Sequence, residues 1–388
     1  MRPKRVLLIE CNEDGTIGGS HQALFDLVRS LDKARYEPVV LFYQNNIYEE
    51  KLRALGIEVH SFEEVRKREL RIRNLGHPIR KKVDIIAAVP RRFQFLRAHR
   101  IDLVHLNNMP SVGSDDWLPA ACLARIPCVA SAMGVESGLG LCRDFLIRHY
   151  DRVLAVSNYI AGAMKECGIP EDRIDVVNHG VDLERLRSMV KRDRDDVRKE
   201  LGVEPEQVLA VMVANVRAWK GQHVVLAALK QLDPDVRRRL RVAFAGVAGK
   251  EDEAYAESLQ QTVRSNDLER CVTFLGWRSD VSDLFNAADI ALHASTTPEP
   301  GGIAVLEAMA LGKAVVAANR GGHTEYLVDG AGRTFDVNDP GELARILTEL
   351  VNAPEMRQAL AREALSRVEM YTLRRNGERT QAVYATLF

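Results

Sequence analysis

The sequence lacks several features that would each have defined a class of protein. It has no run of about eighteen or more apolar residues, so no segment is expected to span a bilayer. Its formal net charge is zero, so we expect no nucleic-acid partner. Its six cysteines are scattered without close pairing, which predicts reduced thiols and a cytoplasmic protein.

Low-complexity segments and carboxylate pairs with metal-ligand spacing are also missing, so no metal site is expected. The apolar run at residues 6–9 is too short for a signal peptide and predicts a first β-strand. What the sequence does have is 388 residues, 46% of them hydrophobic and 28% charged. This length and composition predict a globular chain of two domains.

Short apolar runs alternate with amphipathic stretches along the whole chain, which predicts parallel sheets in α/β layers. The predicted strands are residues 6–9, 39–42, 57–60, 103–106, 127–131, 152–156, 174–177, 208–213, 241–245, 272–275, 290–293 and 314–317. We divide the chain into residues 1–182 as one Rossmann-like domain, 183–365 as a second, and 366–388 as a helix that returns to the first. Because ligands bind at the carboxyl ends of parallel strands, we expect a cleft between the two domains.

The segment 298–312 is the most informative. Glu307 is the only charged residue of an apolar helix, and a buried carboxylate is costly unless a partner satisfies it. Glu299 lies in the turn before this helix, and Gly301 and Gly302 leave backbone N–H groups accessible at its positive end. The segment therefore predicts an anion site between two carboxylates, as a sugar diphosphate requires. The alternative is a capping Glu299 and a Glu307 satisfied within the protein.

A second segment, residues 213–223, follows the first strand of the second half and opens a helix. Arg217 and Lys220 in this loop are able to neutralise a pyrophosphate as it leaves. The alternative is that both are ordinary surface charges.

These two segments together resemble glycosyltransferase family 4, the large retaining group with the GT-B fold. Further segments match the family in the same order along almost the whole chain. They are Thr16-Ile-Gly-Gly-Ser20, Leu154-Ala-Val-Ser-Asn158, Asn178-His-Gly-Val-Asp182, Phe244-Ala-Gly246, Phe274-Leu-Gly-Trp277 and Gly321-Gly-His-Thr-Glu325.

The resemblance implies a role for each matched position. Glu307 would bind the ribose hydroxyls and Glu299 the hydroxyls of the transferred sugar, while Arg217 and Lys220 would hold the diphosphate. Glu299, Lys220 and Arg217 are therefore our catalytic candidates. Further donor-binding candidates are Gly18, Gly19, Gly301, Gly302, Ile303, Ala304, Val305, Asn215, Gly246 and Trp277. The resemblance further implies that residues 1–182 bind the acceptor and residues 183–365 bind the nucleotide sugar. It also implies catalysis without a bound metal or other cofactor.

Four positions depart from the family pattern. Asn215 stands where the family usually has arginine, and Met133 where it often has a histidine near the reacting sugar. His179 replaces the usual asparagine before Gly-Val-Asp, and Gly301 replaces an aromatic residue. Because of Asn215, the sequence does not define the geometry of Arg217 at the diphosphate. Because of Met133, the sequence gives less support for a catalytic histidine in the first domain.

The acceptor side is less defined. His105, Asn107 and Met133 are the acceptor-side candidates, with a hydrogen-bonded interior histidine as the alternative for His105. The segment from Arg66 to Arg100 holds twelve Lys and Arg and two acidic residues, with apolar residues between the basic clusters. Such a segment is typical of peripheral contact with an anionic membrane, here the inner face of the cell membrane, and the alternative is a solvated helix face.

The predicted function is retaining transfer of a hexose-type sugar from a nucleotide-diphosphate sugar to a hydroxyl of a glycan, glycolipid or small molecule. We expect a place in cell-envelope polysaccharide, glycolipid or secondary-metabolite biosynthesis. A sugar-nucleotide epimerase on the same scaffold and a non-catalytic sugar-nucleotide sensor are the alternatives.

Overall fold

The computed structural model describes residues 2–11, 19–61, 77–108, 117–134 and 147–388, and of residues 77–86 it describes the backbone alone. The chain divides into two compact units. The first comprises Met1–Gly180 with Leu373–Phe388, and the second comprises Val181–Thr372. Each unit contains a parallel sheet with helices between its strands, which confirms the predicted α/β class.

The first unit contains seven strands within the described residues. They are β1 (Lys4–Glu10), β2 (Tyr36–Phe42), β3 (Glu58–Ser61), β4 (Leu103–Asn107), β5 (Cys128–Ala132), β6 (Arg152–Ala155) and β7 (Ile174–Val176), in the sheet order β3-β2-β1-β4-β5-β6-β7. The helices between them are α1 (Gly19–Ser30), α2 (Ile47–Ala54), α3 (His77–Ala98), α4 (Trp117–Ala124) and α5 (Asn158–Glu166).

The second unit begins with two short helices, α6 (Leu183–Ser188) and α7 (Arg194–Glu200). Its strands are β8 (Val208–Val213), β9 (Leu240–Ala245), β10 (Val272–Gly276), β11 (Ile290–His293), β12 (Ala314–Ala318) and β13 (Arg333–Phe335), in the order β10-β9-β8-β11-β12-β13. The later helices are α8 (Gln222–Lys230), α9 (Pro234–Arg238), α10 (Glu253–Ser265), α11 (Val281–Ala287), α12 (Ile303–Ala310), α13 (Pro340–Asn352) and α14 (Pro354–Val368).

The strands are where the apolar runs predict them because both faces of each sheet are covered. In β8 the sequence Val-Leu-Ala-Val-Met-Val is buried except at its last residue, which lies partly exposed. A strand that is covered on both faces needs such an unbroken apolar run. All twelve predicted strands are present with ends shifted by a few residues, whereas β13 and the helices α4 and α9 were not predicted.

The strand order reverses once in each sheet, between β1 and β4 in the first unit and between β8 and β11 in the second. At such a reversal the loops that follow the two central strands leave in opposite directions and open a crevice at the carboxyl edge. The ends of β8 and β11 therefore mark the place where the second unit is built to accept a ligand.

The last helix, α15 (Leu373–Ala385), belongs to the first unit. The Asp32 amide donates to Gln381 Oε1 over 2.9 Å, and the rings of Tyr36 and Tyr384 pack edge to face at 5.5 Å. The predicted return at residue 366 differs from the structure, where α14 still packs on the second unit through the buried Ala364 and Val368. A break separates α14 from α15, with Thr372 in an extended conformation.

Among the described helices, none is both long and apolar enough to cross a bilayer.

Candidate active site

The second unit collects polar side chains at the carboxyl edge of its sheet. The loop after β8 is fixed against the segment after β11 by Gly221, whose φ is 79°. A Cβ at this position would lie 1.9 Å from the carbonyl oxygen of Ala294, so glycine alone permits the approach. The single turn of 3-10 helix at Ala218–Lys220 is held at this contact.

Lys220 and Glu299 form an ion pair there. Lys220 Nζ lies 2.5 Å from Glu299 Oε1, and the two side chains are only 19% and 12% exposed. The Ser295 hydroxyl donates to the same carboxylate oxygen. His293 Nε2 lies 3.1 Å from that oxygen as well, although its orientation does not give a hydrogen bond. Three side chains of different chemistry thus converge on one oxygen of Glu299.

This environment fixes the charge of Glu299. Burial alone would raise its pKa, but the neighbouring His293 and the Lys220 ammonium outweigh burial and hold the pKa well below the ordinary value of 4.5. Glu299 is therefore a carboxylate at neutral pH, able to accept hydrogen bonds from hydroxyl groups.

His293 is a residue that the sequence analysis did not propose for the site. It ends β11 at the carboxyl edge and is only 8% exposed, and neither of its ring nitrogens has a hydrogen-bond partner. Its ring packs on that of His323 at 4.2 Å, and His323 Nε2 lies 2.8 Å from the carbonyl oxygen of Ala318. Burial lowers the pKa of His323 to about 3, so this ring is neutral. Sequence analysis could have proposed His293 from its position at the end of strand β11, next to the reversal of strand order between β8 and β11.

Two glycines fix the backbone around Glu299. Gly321 has a φ of 96°, and a Cβ there would lie 2.5 Å from the carbonyl oxygen of Glu299. The same carbonyl accepts a hydrogen bond of 2.7 Å from the Gly322 amide. Gly302, with a φ of 63°, lies so close to His323 that a Cβ would be 2.7 Å from the histidine Cβ. The turn before α12 is thus held in one conformation by close backbone packing.

Helix α12 begins directly after this turn, and no side chain caps its start. Ile303 and Ala304 are partly exposed, Val305 is buried, and Gly301 before the helix is buried too. Glu307 is the one charged residue of the helix and is partly exposed, while most of its neighbours in the helix are buried. An uncapped helix start of this kind presents N–H groups and a partial positive charge.

We predicted that Arg217 and Lys220 hold the diphosphate together, and the structure gives Arg217 other partners than Lys220 has. Its guanidinium lies 3.4 Å from Glu251 Oε1 and 3.5 Å from Asp252 Oδ2, and its side chain is 38% exposed. The structure therefore brings Lys220 and Glu299 together and places Arg217 with acidic residues ahead of α10.

Three further donor-binding candidates lie at the ends of neighbouring strands. Asn215 is exposed after β8, and Trp277 after β10 is 72% exposed. Gly246 follows β9 with a φ of 148°, and a Cβ there would lie 2.0 Å from the carbonyl oxygen of Ala214. All three are at the carboxyl edge, where a ligand of the second unit would lie.

The expectation for His105 needs correction. This residue is completely buried in the first unit, where one ring nitrogen hydrogen-bonds the Tyr384 hydroxyl and the other lies 2.7 Å from Ser131 Oγ. Burial lowers the pKa of His105 to about 3. Both nitrogens are used inside the protein, so His105 connects the sheet to α15 and leaves no nitrogen for an acceptor.

The other candidates of the first unit lie near the carboxyl edge of its sheet. Asn107 is buried, and its Nδ2 donates to Glu10 Oε2 over 2.5 Å. Glu10, a buried acid at the end of β1 beside the reversal, was not predicted. Met133 is partly buried against the core, and Gly19 is exposed at the start of α1. Gly18 lies outside the described residues.

Much of the predicted basic segment also falls outside the described residues, since residues 66–76 are not described. In the remainder, Arg92 is only 1% exposed and lies over the ring of Trp117 at 4.9 Å, and Leu96 is buried. This part of α3 therefore contributes one of its basic side chains to the interior rather than to the surface.

The sequence matches two protein families, one after the other along the chain. Glycosyltransferase Family 4 matches residues 17–185, and Glycosyl transferases group 1 matches residues 193–367. Together they cover most of both units. The chain belongs to the family-4 glycosyltransferases.

Curated relatives of this family-4 chain include two D-inositol 3-phosphate glycosyltransferases. That of Rhodococcus opacus is 32% identical over 240 residues, which are 59% of this chain and 48% of the relative. The second such enzyme of Catenulispora acidiphila is 30% identical over 218 residues, 54% of this chain and 50% of the relative. The chain thus spans about half the length of the curated relatives it matches.

Solved structures resemble this family-4 chain over its full length. Anabaena HepE in complex with UDP has a TM-score of 0.80 at 22% identity, covering 98% of this chain and 100% of that one. A glycosyltransferase from Rickettsia africae has a TM-score of 0.84 at 17% identity, covering 100% and 99%. At these identities the likeness concerns the fold, and it confirms the predicted GT-B type of two Rossmann-like units.

Proposed function

We propose that the protein is a retaining glycosyltransferase that uses a nucleotide-diphosphate sugar as donor. The observation that carries this proposal is the buried Lys220–Glu299 pair, held at the uncapped start of α12. A diphosphate is attracted by the ammonium and by the N–H groups, while the ionised Glu299 accepts hydrogen bonds from sugar hydroxyls. The HepE structures with UDP and with UDP-glucose support a uridine nucleotide as the first donor to test.

The transfer step follows from these charges. The bond between the anomeric carbon and the diphosphate oxygen breaks, and Lys220 with the start of α12 stabilises the negative charge on the leaving group. The acceptor hydroxyl forms the new bond on the same face of the sugar and gives its proton to the departing phosphate. In this scheme His293 keeps Glu299 ionised, and no residue of the first unit acts as base. Metal is not required, because the ammonium and the helix supply the positive charge.

The deciding experiment compares Lys220→Ala with Lys230→Ala. Removing the Lys220 ammonium should lower kcat by about 10²–10³-fold, since one preorganised charge at a leaving group contributes that much. Lys230, exposed at the opposite end of α8, is the matched control and should leave turnover unchanged. Steady-state kinetics with a donor found by a thermal-shift screen of nucleotide sugars gives the answer. Equal activity of both variants would remove Lys220 from the proposed chemistry.

Incubation of the protein with the donor alone separates transfer from epimerisation. A transferase incubated with donor alone leaves the sugar configuration unchanged, whereas an epimerase converts the donor to its epimer, which NMR detects. The family matches favour the transferase. Full conversion without acceptor would support the epimerase instead.

We further propose that the acceptor is a hydroxyl of a glycan, glycolipid or small molecule such as a polyol phosphate, and that the first unit binds it. The names of the curated relatives support a phosphorylated polyol as one member of this set. For a membrane-bound acceptor, the basic segment ending at Arg100 would approach the inner face of the cell membrane. The whole protein should then cosediment with anionic liposomes at low but not high salt. Absence of binding at low salt would rule this contact out.

A further inference from the structure

Three side chains that play no part in the proposed chemistry meet in the first unit. Glu58 and His60 lie on the edge strand β3, and His99 follows the end of α3. His60 Nε2 lies 2.7 Å and His99 Nδ1 lies 3.0 Å from the same oxygen, Glu58 Oε1. The ligand atoms of these three residues all lie within 4.8 Å of one another. One carboxylate and two imidazoles thus form a compact group of donors.

The positions of the rings come from the fold. Glu58 and His60 are two residues apart on one strand and therefore point to the same face of the sheet. The ring of Phe95, one turn before His99 in α3, stacks on His99 at 4.1 Å and meets His60 edge to face at 5.1 Å. A single aromatic ring therefore orients both histidines before any ligand arrives.

Arg5 fixes the carboxylate. Its Nη2 lies 2.5 Å from Glu58 Oε2, the oxygen that the histidines do not approach, while its Nη1 lies 3.0 Å from Glu37. Arg5 thus orients one oxygen of the Glu58 carboxylate and leaves the other available as a ligand. A partner that orients the second oxygen of a ligating carboxylate is common around protein metal ions.

We propose that Glu58, His60 and His99 bind a divalent transition-metal ion, with Zn²⁺ as the ion to test. Two imidazole nitrogens and one carboxylate oxygen suit Zn²⁺, and water completes the tetrahedron. Donors around one Zn²⁺ lie roughly 3.3 Å apart, because Zn–N and Zn–O bonds are about 2.0–2.1 Å long. The two separations between a histidine nitrogen and Glu58 Oε1, 2.7 Å and 3.0 Å, are slightly shorter than that value, so small side-chain rotations suffice. The side chains are 38%, 21% and 29% exposed, which leaves the ion a path from solvent.

The ion would act on the structure of the first unit rather than on sugar transfer. Glu58 and His60 lie on the edge strand β3 and His99 lies just before β4, all in the first unit, whereas the Lys220–Glu299 pair belongs to the second unit. A bound ion would cross-link the edge strand β3 to the residue that follows α3, two points that are far apart in the sequence. Such a connection stabilises the folded state because a metal that binds only the folded chain shifts the unfolding equilibrium.

The test is titration of the metal-stripped full chain with ZnCl₂ by isothermal calorimetry. We expect one equivalent to bind and the melting temperature to rise, with both effects reversed by chelator. His60→Gln and His99→Gln should each weaken binding by at least about tenfold, since each removes one of three protein ligands. Co²⁺ in place of Zn²⁺ should give the visible absorption of a four-coordinate ion in the wild type and not in the variants.

His149→Gln is the matched control, because His149 is an exposed histidine elsewhere in the same unit. It should bind Zn²⁺ as the wild type does, and circular dichroism in chelator should show all variants folded. If one variant does not fold, the other carries the test. No saturable binding by the wild type, or equal binding by the wild type and both glutamine variants, would overturn the proposal. So would a loss of binding in His149→Gln as large as in the ligand variants.

Discussion

At the scale of single residues, the site depends on one carboxylate kept charged in a mostly buried place. Glu299 has three polar neighbours on one oxygen, namely Lys220, Ser295 and His293. A carboxylate whose pKa is depressed in the folded state stabilises that state only while it is ionised. Stability at low pH therefore reports directly on this site.

Glu299→Gln should change how stability depends on pH. In the wild type, the contribution of Glu299 is fully present above its ordinary pKa of 4.5 and is lost as the pH falls toward the depressed folded value. The glutamine variant has no such group, so its unfolding free energy should fall less steeply between about pH 6 and about pH 3. Urea denaturation at a series of pH values measures this slope.

Glu251→Gln is the control for that series, because Glu251 is an acid of the same unit with a 68% exposed side chain. It should retain the wild-type slope. A Glu299→Gln profile that runs parallel to the wild type would contradict the charge state assigned to Glu299.

The sequence predicted Lys220 and Glu299 because both stand in loops next to a helix start, where charge has an evident use. It could not predict His293 at Glu299, since their proximity depends on how β11 and the turn before α12 pack. For Arg217, the spacing from Lys220 predicted that both side chains bind one anion. In the structure the Arg217 guanidinium lies beside Glu251 and Asp252.

At the scale of elements, the strands were predictable because a strand buried on both faces must be apolar throughout. The three-residue β13 has too few residues for a pattern. Helix α4 is apolar on all sides, so its sequence shows no amphipathic spacing. The interior role of His105 belongs to this scale too. It depends on α15, which is far from β4 in the sequence and covers its sheet only in the folded chain.

Tyr384→Phe should show whether His105 stabilises the first unit or takes part in binding. Loss of the hydroxyl leaves a buried nitrogen of His105 without its partner, which costs about 1–3 kcal/mol. Urea denaturation should show a less stable first unit, while calorimetry should show unchanged affinity for nucleoside diphosphate. Tyr159→Phe, at an exposed position of α5, is the control and should be close to neutral. A raised KM for the acceptor in Tyr384→Phe but not in Tyr159→Phe would return His105 to the acceptor side.

At the scale of the whole molecule, each unit has its own sheet and its own core, so a ligand of one unit need not stabilise the other directly. We expect saturating nucleoside diphosphate to raise the unfolding temperature of the second unit, as measured by differential scanning calorimetry. The gain should be about 2.7 kcal/mol at a ligand concentration about a hundred times Kd. Lys220→Ala should reduce the shift, whereas Lys230→Ala should keep it. The absence of any shift with every nucleoside diphosphate would contradict the proposed donor site.

The bridge between Val181 and Thr372 joins the two ends of the second unit. In the chain, the second unit is an insertion between the main part of the first unit and the helix α15 that completes the first unit. The points at which the chain enters and leaves this insertion are adjacent. During synthesis the ribosome therefore makes residues 181–372 before it makes α15, so Tyr36 and His105 lack their Tyr384 partner until α15 has been made. The second unit has all its strands by then, and it is able to fold first even though it comes later in the sequence.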